Sequence, residues 1–417
     1  MSSSATAAPL SAVRIAVFGL LPFGLGYFLS YLFRAVNAIV APDLVKELSL
    51  DAGQLGFLTA AYLLAFSLFQ LPLGILLDRY GPRRVQAGLL VVAGIGALLF
   101  SFGRDTPTLT IARALIGLGF AGGLMSSFKA VVVFVPEPRR ALASACVMSL
   151  GALGLMVSTA PMQVLVDAYG WRGVFAGLGL ITLLVGMLIL VAVPRPDAIG
   201  APLPFKAQAA SLWSIIRDPA FLRLAPLLGL SAGTHIAIQT LWAGPWWRDI
   251  GGLDRAGVAQ NLFLMAFAFF IGILGTGYVA DVFRRRGVNT LDVLLGFMVT
   301  FLSAQLLILL NVLPLPAWLL FGTVGQVGVL AFPWLSSYFG AALSGRANSA
   351  MNLMIFATAF VAQWAIGAVI DLFPRTANGG FPLEAYQAGF GAFLALEVLG
   401  LLWYLPARKR LIAGRGA

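Results

Sequence analysis

The sequence has very little charge and few residues suited to catalysis or metal binding. Only 10% of its 417 residues are Asp, Glu, Lys or Arg, whereas soluble domains carry about 25%. Its one cysteine, Cys146, excludes an internal disulfide, and its one histidine is His235. No nucleophile–base set, metal-ligand cluster or phosphate-binding loop is visible. We therefore predict no enzyme, no cofactor and no bound metal.

Apolar residues make up 60% of the chain, and its mean hydropathy is +0.94. Apolar runs of about 20 or more residues, the length that crosses a bilayer, recur along the whole sequence. This predicts an all-α integral membrane protein. In a soluble protein the net charge of +11 would suggest a nucleic-acid partner. In a membrane protein, basic cytoplasmic loops explain that charge, so no nucleic acid is expected.

The apolar runs predict twelve transmembrane helices in two six-helix bundles. The spans cover roughly residues 12–40, 52–77, 84–103, 108–134, 140–167 and 172–193, then 220–246, 256–281, 288–311, 316–342, 347–371 and 384–406. The expected organisation is a cytoplasmic N-terminal tail (1–11), a first bundle (12–193), a cytoplasmic linker (194–219), a second bundle (220–406) and a cytoplasmic C-terminal tail (407–417). Pro194 and Pro196 end the sixth span, because proline cannot continue a helix.

The basic residues predict the orientation in the membrane. Of the 27 Lys and Arg residues, 18 fall on the side of both termini, six on the other side, and three within spans: Arg34, Arg113 and Lys129. By the positive-inside rule, both termini are expected in the cytoplasm. We expect a monomer in the cytoplasmic (inner) membrane, surrounded by lipid.

Two similar stretches lie about half a chain apart, each at the end of an apolar run. They are Gly74-Ile-Leu-Leu-Asp78-Arg79-Tyr80-Gly81-Pro82-Arg83-Arg84 and Gly277-Tyr-Val-Ala-Asp281-Val282-Phe283-Arg284-Arg285-Arg286-Gly287. In each, the Gly and the Asp lie one turn apart on one helix face. The glycine allows a neighbouring helix to come close, and the aspartate can accept hydrogen bonds from a helix end or pair with an arginine. The repeat predicts a duplicated bundle whose halves move against each other.

With twelve spans and these motifs, the chain resembles transporters of the major facilitator superfamily. Gly74 to Arg84 resembles the family's loop 2–3 motif, G-x-x-x-D-R-x-G-x-R-R, and Arg113-Ala-Leu-Ile-Gly117-Leu-Gly119 is similar to its span 4 motif, R-x-x-x-G-x-G. The resemblance implies two six-helix bundles around a central cavity that opens alternately to each side. It also implies a cytoplasmic gate made of Gly74, Asp78, Arg79, Gly81, Arg83, Arg84, Gly277 and Asp281.

A narrower resemblance concerns Tyr31-Leu-Phe-Arg34-Ala-Val-Asn37, which looks like the start of the anion:cation symporters. That group of organic-anion permeases tends to carry one arginine on span 1 and one at the span 4 motif, both facing an anionic substrate. Arg34 and Arg113 match those places. The group often has acidic residues just before the first arginine and seven residues after the second. Here those positions are Phe33 and Phe120, so the usual proton-coupling carboxylates are missing.

The residue chemistry itself points to an anion. An arginine within a span costs about 2.5 kcal/mol or more to insert, and it keeps its charge. Its guanidinium fork suits a carboxylate or a phosphate. For Arg113, a helix-packing role is an open alternative to substrate contact. Lys129, about 10 Å from the end of span 4, either reaches the membrane interface or relays a departing anion or a proton.

Polar and aromatic residues at helical spacing are expected to line the cavity. They are Tyr27 and Tyr31 beside Arg34, then His235, Gln239 and Trp242 on span 7, and Asn348 and Asn352 on span 11. A packed His235, hydrogen-bonded to a neighbouring helix, is the alternative. Because histidine titrates near neutrality, His235 is a candidate for proton coupling, together with Lys129 and Glu397. For Glu397 a structural role is favoured.

These features predict uptake of a small organic anion by alternating access, with symport of a proton or cation. The first alternative is a drug or metabolite efflux antiporter of the same superfamily. Span 5 lacks the efflux pattern G-x-x-x-G-P-x-x-G-G, since it reads Gly151-Ala-Leu-Gly154-Leu-Met-Val-Ser-Thr-Ala-Pro161. The second alternative is a transporter-like membrane sensor, which would need a partner or an added cytoplasmic domain.

Overall fold

The computed structural model describes residues 19–194, 213–325, 328, 331–340 and 343–413. Most of these residues are helical, and no β-strand occurs among them. The expected N-terminal tail and residues 195–212 of the expected linker lie outside the described residues. The all-α membrane fold that the sequence predicts is confirmed.

Along the described residues, the helices form twelve spans in two halves of six. The first half has span 1 (Leu21–Ala35 and Asn37–Leu48), spans 2 and 3 (together Ala52–Phe102), span 4 (Thr106–Phe120 and Gly123–Phe134), span 5 (Arg140–Val157 and the start of the next helix) and span 6 (the rest of Ala160–Ala192). The second half has span 7 (Pro219–Ala237, Ile238–Trp242 and Ala243–Asp249), span 8 (Arg255–Arg285), span 9 (Thr290–Leu309), span 10 (Pro314–Val324 and Ala331–Phe339), span 11 (Ser344–Ile370) and span 12 (Leu383–Tyr404). The short helix Arg408–Ala413 follows.

Bends hide some spans within longer helices. Within the described part of the chain, eight helices are long and apolar enough to cross a membrane, or nine with the bent pair of span 1. Ala52–Phe102 has 51 residues, which is about 76 Å of helix, more than twice the hydrocarbon thickness of about 30 Å. It turns at Gly81 (φ 75°), and Ala160–Ala192 turns in the same way at Gly170 (φ 68°). This left-handed backbone suits glycine, which has no Cβ to clash.

Side-chain caps define where several spans begin. Asp51, Asp105, Asp218, Asp254 and Asn289 each accept a hydrogen bond from a backbone N–H in the first turn of spans 2, 4, 7, 8 and 9. Such caps satisfy amides that have no partner within the helix. Span 1 is different, because its two segments meet at a 43° bend. The second segment passes through Pro42 and reaches Leu48, beyond the predicted limit near residue 40.

The bundle has two ends, which we name for use below. The basic end carries the loops after Asp78 and Asp281. The Asp371 end carries Asp371, the C-cap residue that follows span 11, and the start of span 2 at Ala52. Spans 1 and 7 contact each other across the two halves, and the residues near the bend of span 1 are buried.

Candidate functional site

Arg34 lies in a cage of aromatic rings just before the bend of span 1. Its guanidinium carbon is 4.6 Å from the ring centre of Tyr31, 5.3 Å from that of Phe66 and 4.8 Å from that of Phe356. Phe66 belongs to span 2 and Phe356 to span 11, so the cage is formed by both halves of the protein. The side chain is buried, and its Nε has no hydrogen-bond partner. Cation–π attraction of about 2 kcal/mol for a desolvated pair offsets part of the cost of burying this charge.

No acidic side chain neutralises Arg34. Within the described residues, each ion pair joins other groups, and none of them includes Arg34. Tyr27 extends the cage along span 1, with its ring edge-on to Tyr31 at 5.2 Å. A buried guanidinium with a ring cage and no carboxylate is suited to receive an anion from outside the protein.

Arg113 lies at the level of Arg34 but on the interior side of the first half. Its Nη1 donates a hydrogen bond to the Phe33 carbonyl at 3.2 Å, and its guanidinium lies over the rings of Tyr62 and Phe100. The side chain is 1% exposed. The two arginines therefore do not form one open site in this conformation. The contacts of Arg113 are those of a residue that packs span 4 against span 1.

Phe33 and Phe120 occupy the two positions at which the narrower resemblance leads one to expect acids. Their rings are 5.1 Å apart, and both side chains are fully buried. Phe175 of span 6 packs against Phe33 at 5.8 Å. An apolar cluster thus occupies the positions where the resemblance implies two carboxylates, and such a cluster cannot bind a proton.

His235 is enclosed by aromatic rings within the second half. It stacks on Phe269 at 5.8 Å with an interplanar angle of 6°, and it contacts Phe321 at 4.8 Å and Phe301 at 6.0 Å. The side chain is 1% exposed, and its Nε2 has no hydrogen-bond partner. Phe269 also lies 6.3 Å from Tyr31. An aromatic wall therefore connects the Arg34 cage with His235.

The sequence predicted that His235, Gln239 and Trp242 share one face of span 7, but the helical period changes within this stretch. Ile238–Trp242 is π-helical, and the wider turn changes which residues share a face with His235. Gln239 is buried with an unpaired Nε2. Trp242 donates from Nε1 to the Gln363 carbonyl of span 11, in its own half, at 2.9 Å. Its ring also lies beside Gly56 of span 2, so Trp242 takes part in the contact between the halves near the Asp371 end.

The amides of span 11 are partly engaged by other side chains. Asn348 donates to the Ser336 hydroxyl at 3.2 Å, and Gln363 donates to the Thr59 hydroxyl at 3.0 Å. Asn352, one turn after Asn348, is half-buried. The Gln363–Thr59 bond joins span 11 to span 2, so this amide holds the two halves together.

Glu397 is packed inside the second half instead of facing lipid. It is 0% exposed, and no other Asp or Glu in the described part of the chain is buried to that degree. One carboxylate oxygen accepts a hydrogen bond from the Gln305 amide of span 9 at 2.5 Å, and the other, Oε1, has no partner in hydrogen-bond geometry. The second polar neighbour of the carboxylate is the Thr234 hydroxyl of span 7. Both neighbours are neutral, so no cation compensates a negative charge here. The carboxylate thus has the surroundings of a group that can hold a proton.

The halves are joined at the Asp371 end. The two carboxylate oxygens of Asp371 accept hydrogen bonds from the backbone N–H groups of Ala52 (2.9 Å) and Gly53 (2.5 Å), at the start of span 2. Arg255 of span 8 pairs with Asp43 of span 1 at 2.5 Å. Helix N-termini favour negative charge, so Asp371 caps a helix of the opposite half.

Glycines allow spans 2 and 11 to touch at the same end. A Cβ on Gly56 would lie 2.7 Å from the Gln363 carbonyl oxygen, and one on Gly367 would overlap the Ala52 carbonyl. Any larger residue would push the two helices apart. The backbones are therefore in direct contact, and this end of the molecule is closed.

The basic end is arranged differently. Asp78 pairs with Lys129 of span 4 at 2.9 Å, and Asp281 pairs with Arg284 and Arg285 of its own helix. Both pairings stay within one half. Gly74 and Gly277 are exposed, and a Cβ on either would meet nothing within 4 Å. The close helix approach that these glycines are predicted to allow is absent here, so the halves are separated at this end.

The other residues of the expected gate surround the loop between spans 2 and 3. Arg83 donates to the Leu190 carbonyl at the end of span 6, Arg79 lies over the ring of Tyr80, and Arg84 is exposed. Gly81 makes the turn itself. In the second half the turn with positive φ falls at Gly287 (φ 81°), which follows the motif's three arginines.

Sequence reasoning missed Phe66, Phe356 and the contacts of Asp371. The ring cage joins residues almost 300 positions apart, and nothing local distinguishes these two among 31 phenylalanines. Asp371 carried a signal that was available, because an acidic residue at a span end is placed to cap a neighbouring helix.

Comparison with known proteins gives one family. The model described as Major Facilitator Superfamily matches residues 23–363. A probable sulfoacetate transporter of Cupriavidus necator is 28% identical over 63% of this chain and 64% of its own length. A 4-hydroxybenzoate transporter of Pseudomonas putida is 29% identical over 40% of this chain and 38% of its own. A probable galactarate/D-glucarate transporter of Bacillus subtilis is 28% identical over 62% and 63%. The chain thus spans less than two thirds of the length of each of these relatives.

Solved structures give the same architecture. A bacterial homologue of the human lysosomal transporter Spinster, in an inward-facing and unoccupied conformation, has a TM-score of 0.72 at 16% identity, over 97% of this chain and 98% of that one. A D-xylose–proton symporter has a TM-score of 0.69 at 17% identity, over 90% and 96%. At such identities the likeness concerns the fold alone.

Proposed function

The chain belongs to the Major Facilitator Superfamily, and we propose that, as a transporter of that family, it takes up a small organic anion by alternating access. The observation that carries this proposal is Arg34, a buried guanidinium in a cage shared by both halves and without a carboxylate partner. An anion that binds there contacts both halves at once. Its binding is therefore coupled to their relative movement.

The basic end is the cytoplasmic end in this proposal, and both termini lie in the cytoplasm. The excess of arginine and lysine at that end supports this orientation. The described conformation, closed at Asp371 and separated at Gly74 and Gly277, is then the inward-open state. In the opposite state the gate residues Asp78 and Asp281 would face helix ends of the other half.

The coupling ion is a proton carried by Glu397. Of the three candidates in the sequence, Lys129 is paired with Asp78 at the gate and His235 is enclosed by phenylalanine rings. Glu397 has a neutral amide partner and an unpaired oxygen, so a proton can neutralise it without breaking an ion pair. Proton-coupled uptake follows if protonation of Glu397 differs between the two end states.

This site favours anion uptake over the alternative, an efflux pump for cationic drugs. A cation would meet the positive charge of Arg34, and no carboxylate of the described residues lies within ion-pair distance of that side chain to attract it. Repulsion between like charges is costly in a site of low dielectric constant.

Substitution of Arg34 tests the proposal. In proteoliposomes, Arg34→Ala is expected to lower anion uptake about 30-fold or more, because loss of a charged partner in a buried site costs about 2 kcal/mol or more. Arg34→Lys keeps the charge but loses the two-pronged geometry, so an intermediate rate is expected. Uptake is measured for a panel of labelled carboxylates and sulfonates.

The matched control is Arg104→Ala, since Arg104 is an exposed arginine in the loop before span 4. Gel filtration and a melting curve in detergent establish that each variant is folded. Unchanged uptake by folded Arg34→Ala would refute the assignment of the anion site.

A further inference from the structure

The surroundings of Arg34 carry information about the body of the substrate, beyond its negative charge. We infer that the transported anion is a monoanion with a flat, largely apolar body, of the class of aromatic monocarboxylates. This inference rests on the proposed function. It is argued from the number of available cations and from the ring geometry.

A single guanidinium is available at the contact between the halves. Arg113 is 1% exposed and donates from Nη1 to the Phe33 carbonyl, so its guanidinium is held within the first half. Lys129 is paired with Asp78. One fixed positive charge compensates one negative charge. A dianion would bring a second, uncompensated charge into a buried site, which is strongly unfavourable.

Aromatic rings dominate the walls around this cation. Phe66 and Phe356 touch at 4.2 Å, and Tyr62 stacks on Phe66 at 6.1 Å. On the other side Tyr31 continues to Phe269, on which His235 stacks. Flat faces of this kind pair with flat apolar molecules through offset or edge contacts.

Counterflow in proteoliposomes that contain the full chain tests this inference. Labelled benzoate, sulfoacetate and glucarate are each offered, and each is competed with the unlabelled others and with cyclohexanecarboxylate. Benzoate represents a flat monoanion, sulfoacetate a dianion and glucarate a polyhydroxylated dianion. We expect benzoate counterflow, and about tenfold or greater preference for benzoate over either dianion.

A ring variant examines the flat wall separately. Phe356→Leu is expected to reduce the preference for benzoate over cyclohexanecarboxylate about two- to tenfold, the range for one aromatic pair. Phe57→Leu is its control, because Phe57 also contacts rings of span 11 (Phe360 and Trp364) but is 44% exposed and does not contact Arg34. An equal effect of both variants would contradict the role of the Phe356 ring.

The outcomes separate the two proposals. Counterflow of sulfoacetate or glucarate at least as strong as that of benzoate would overturn the inferred class and leave organic-anion transport standing. Absence of counterflow for all the labelled anions, with folded protein, would overturn the class and count against the proposed function as well.

Discussion

Arg34 and Glu397 are both ionisable side chains within spans, but their surroundings differ. Arg34 is surrounded by rings from both halves, whereas Glu397 is enclosed by the second half alone and meets the Gln305 amide. A residue that contacts both halves can respond to substrate binding and to the conformation at the same time. A residue within one half can store a proton while the halves move.

Glu397→Gln is expected to uncouple transport from the proton gradient. With one proton per anion, a gradient of about one pH unit supplies about 1.4 kcal/mol and accumulates the anion about tenfold. The variant cannot release or bind that proton, so its accumulation ratio is expected to fall to about one. Counterflow exchange, which needs no net proton movement, should continue. Accumulation and counterflow are measured with the same labelled anion.

His235→Gln is the comparison for this experiment. Phenylalanine rings enclose His235, so its loss is expected to leave the accumulation ratio unchanged. If His235→Gln abolishes accumulation while Glu397→Gln preserves it, the coupling proton is carried by the histidine instead.

At the scale of single residues, the sequence identifies candidates where burying the side chain is costly. Arg34, Arg113 and Glu397 are conspicuous because a charged side chain within a span needs a reason. Their partners are not conspicuous. Whether Arg113 faces a substrate or a backbone carbonyl depends on how spans 1 and 4 pack, which no local pattern encodes.

At the scale of the helices, glycines have opposite surroundings at the two ends of span 11. Gly367 lies against the Ala52 backbone of span 2, while Gly345 has nothing within 4 Å of a Cβ position. The contact at Gly367 has a consequence for the conformational equilibrium. A side chain there would overlap the Ala52 carbonyl of the other half, a contact that exists while the Asp371 end is closed.

Gly367→Ala is expected to shift the protein toward opening at the Asp371 end. Overpacking costs about 1–3 kcal/mol, which changes a population ratio about 5- to 150-fold. The measurement is labelling of Leu50→Cys, a position at that end that is 3% exposed, by a membrane-impermeant maleimide after Cys146→Ser. Faster labelling is expected.

Gly345→Ala, on the same helix, is the matched control and should label at the parental rate. Slower or unchanged labelling in Gly367→Ala would contradict the idea that helix contact at this glycine holds the end closed.

The presence of the spans could be predicted from hydropathy, but the bends within them could not. Twelve apolar runs give twelve spans because their lengths match the bilayer. The π-helical turn at Ile238–Trp242 was missed, since a change of period needs tertiary contacts to stabilise it. It separates Trp242 from the face of His235, which the sequence treated as continuous.

At the scale of the whole molecule, the described conformation is asymmetric between its ends. The Asp371 end has ion pairs and capping bonds between the halves, whereas each ion pair of Asp78 and Asp281 at the basic end stays within one half. The duplicated Gly–Asp motif could be read from the sequence. The sequence does not show which end is closed, because the same sequence adopts both states.

Asp371→Asn is expected to weaken closure of the Asp371 end. The substitution removes the negative charge that caps span 2, a loss of about 1–2 kcal/mol, or about a 5- to 30-fold change in population. Labelling of Leu50→Cys should therefore accelerate. Asp105→Asn is the control, because Asp105 caps span 4 of its own half at Thr108. Equal acceleration in both variants would indicate general loosening and would contradict a specific latch at Asp371.

One buried carboxylate, Glu397, and one buried guanidinium without an acidic partner, Arg34, also bear on what drives the cycle electrically. A monoanion that moves with one proton carries no net charge through the bilayer. A potential of 100 mV, worth about 2.3 kcal/mol for each elementary charge, would then neither assist nor oppose transport. Such a carrier responds to acidity on either side of the membrane and is indifferent to voltage.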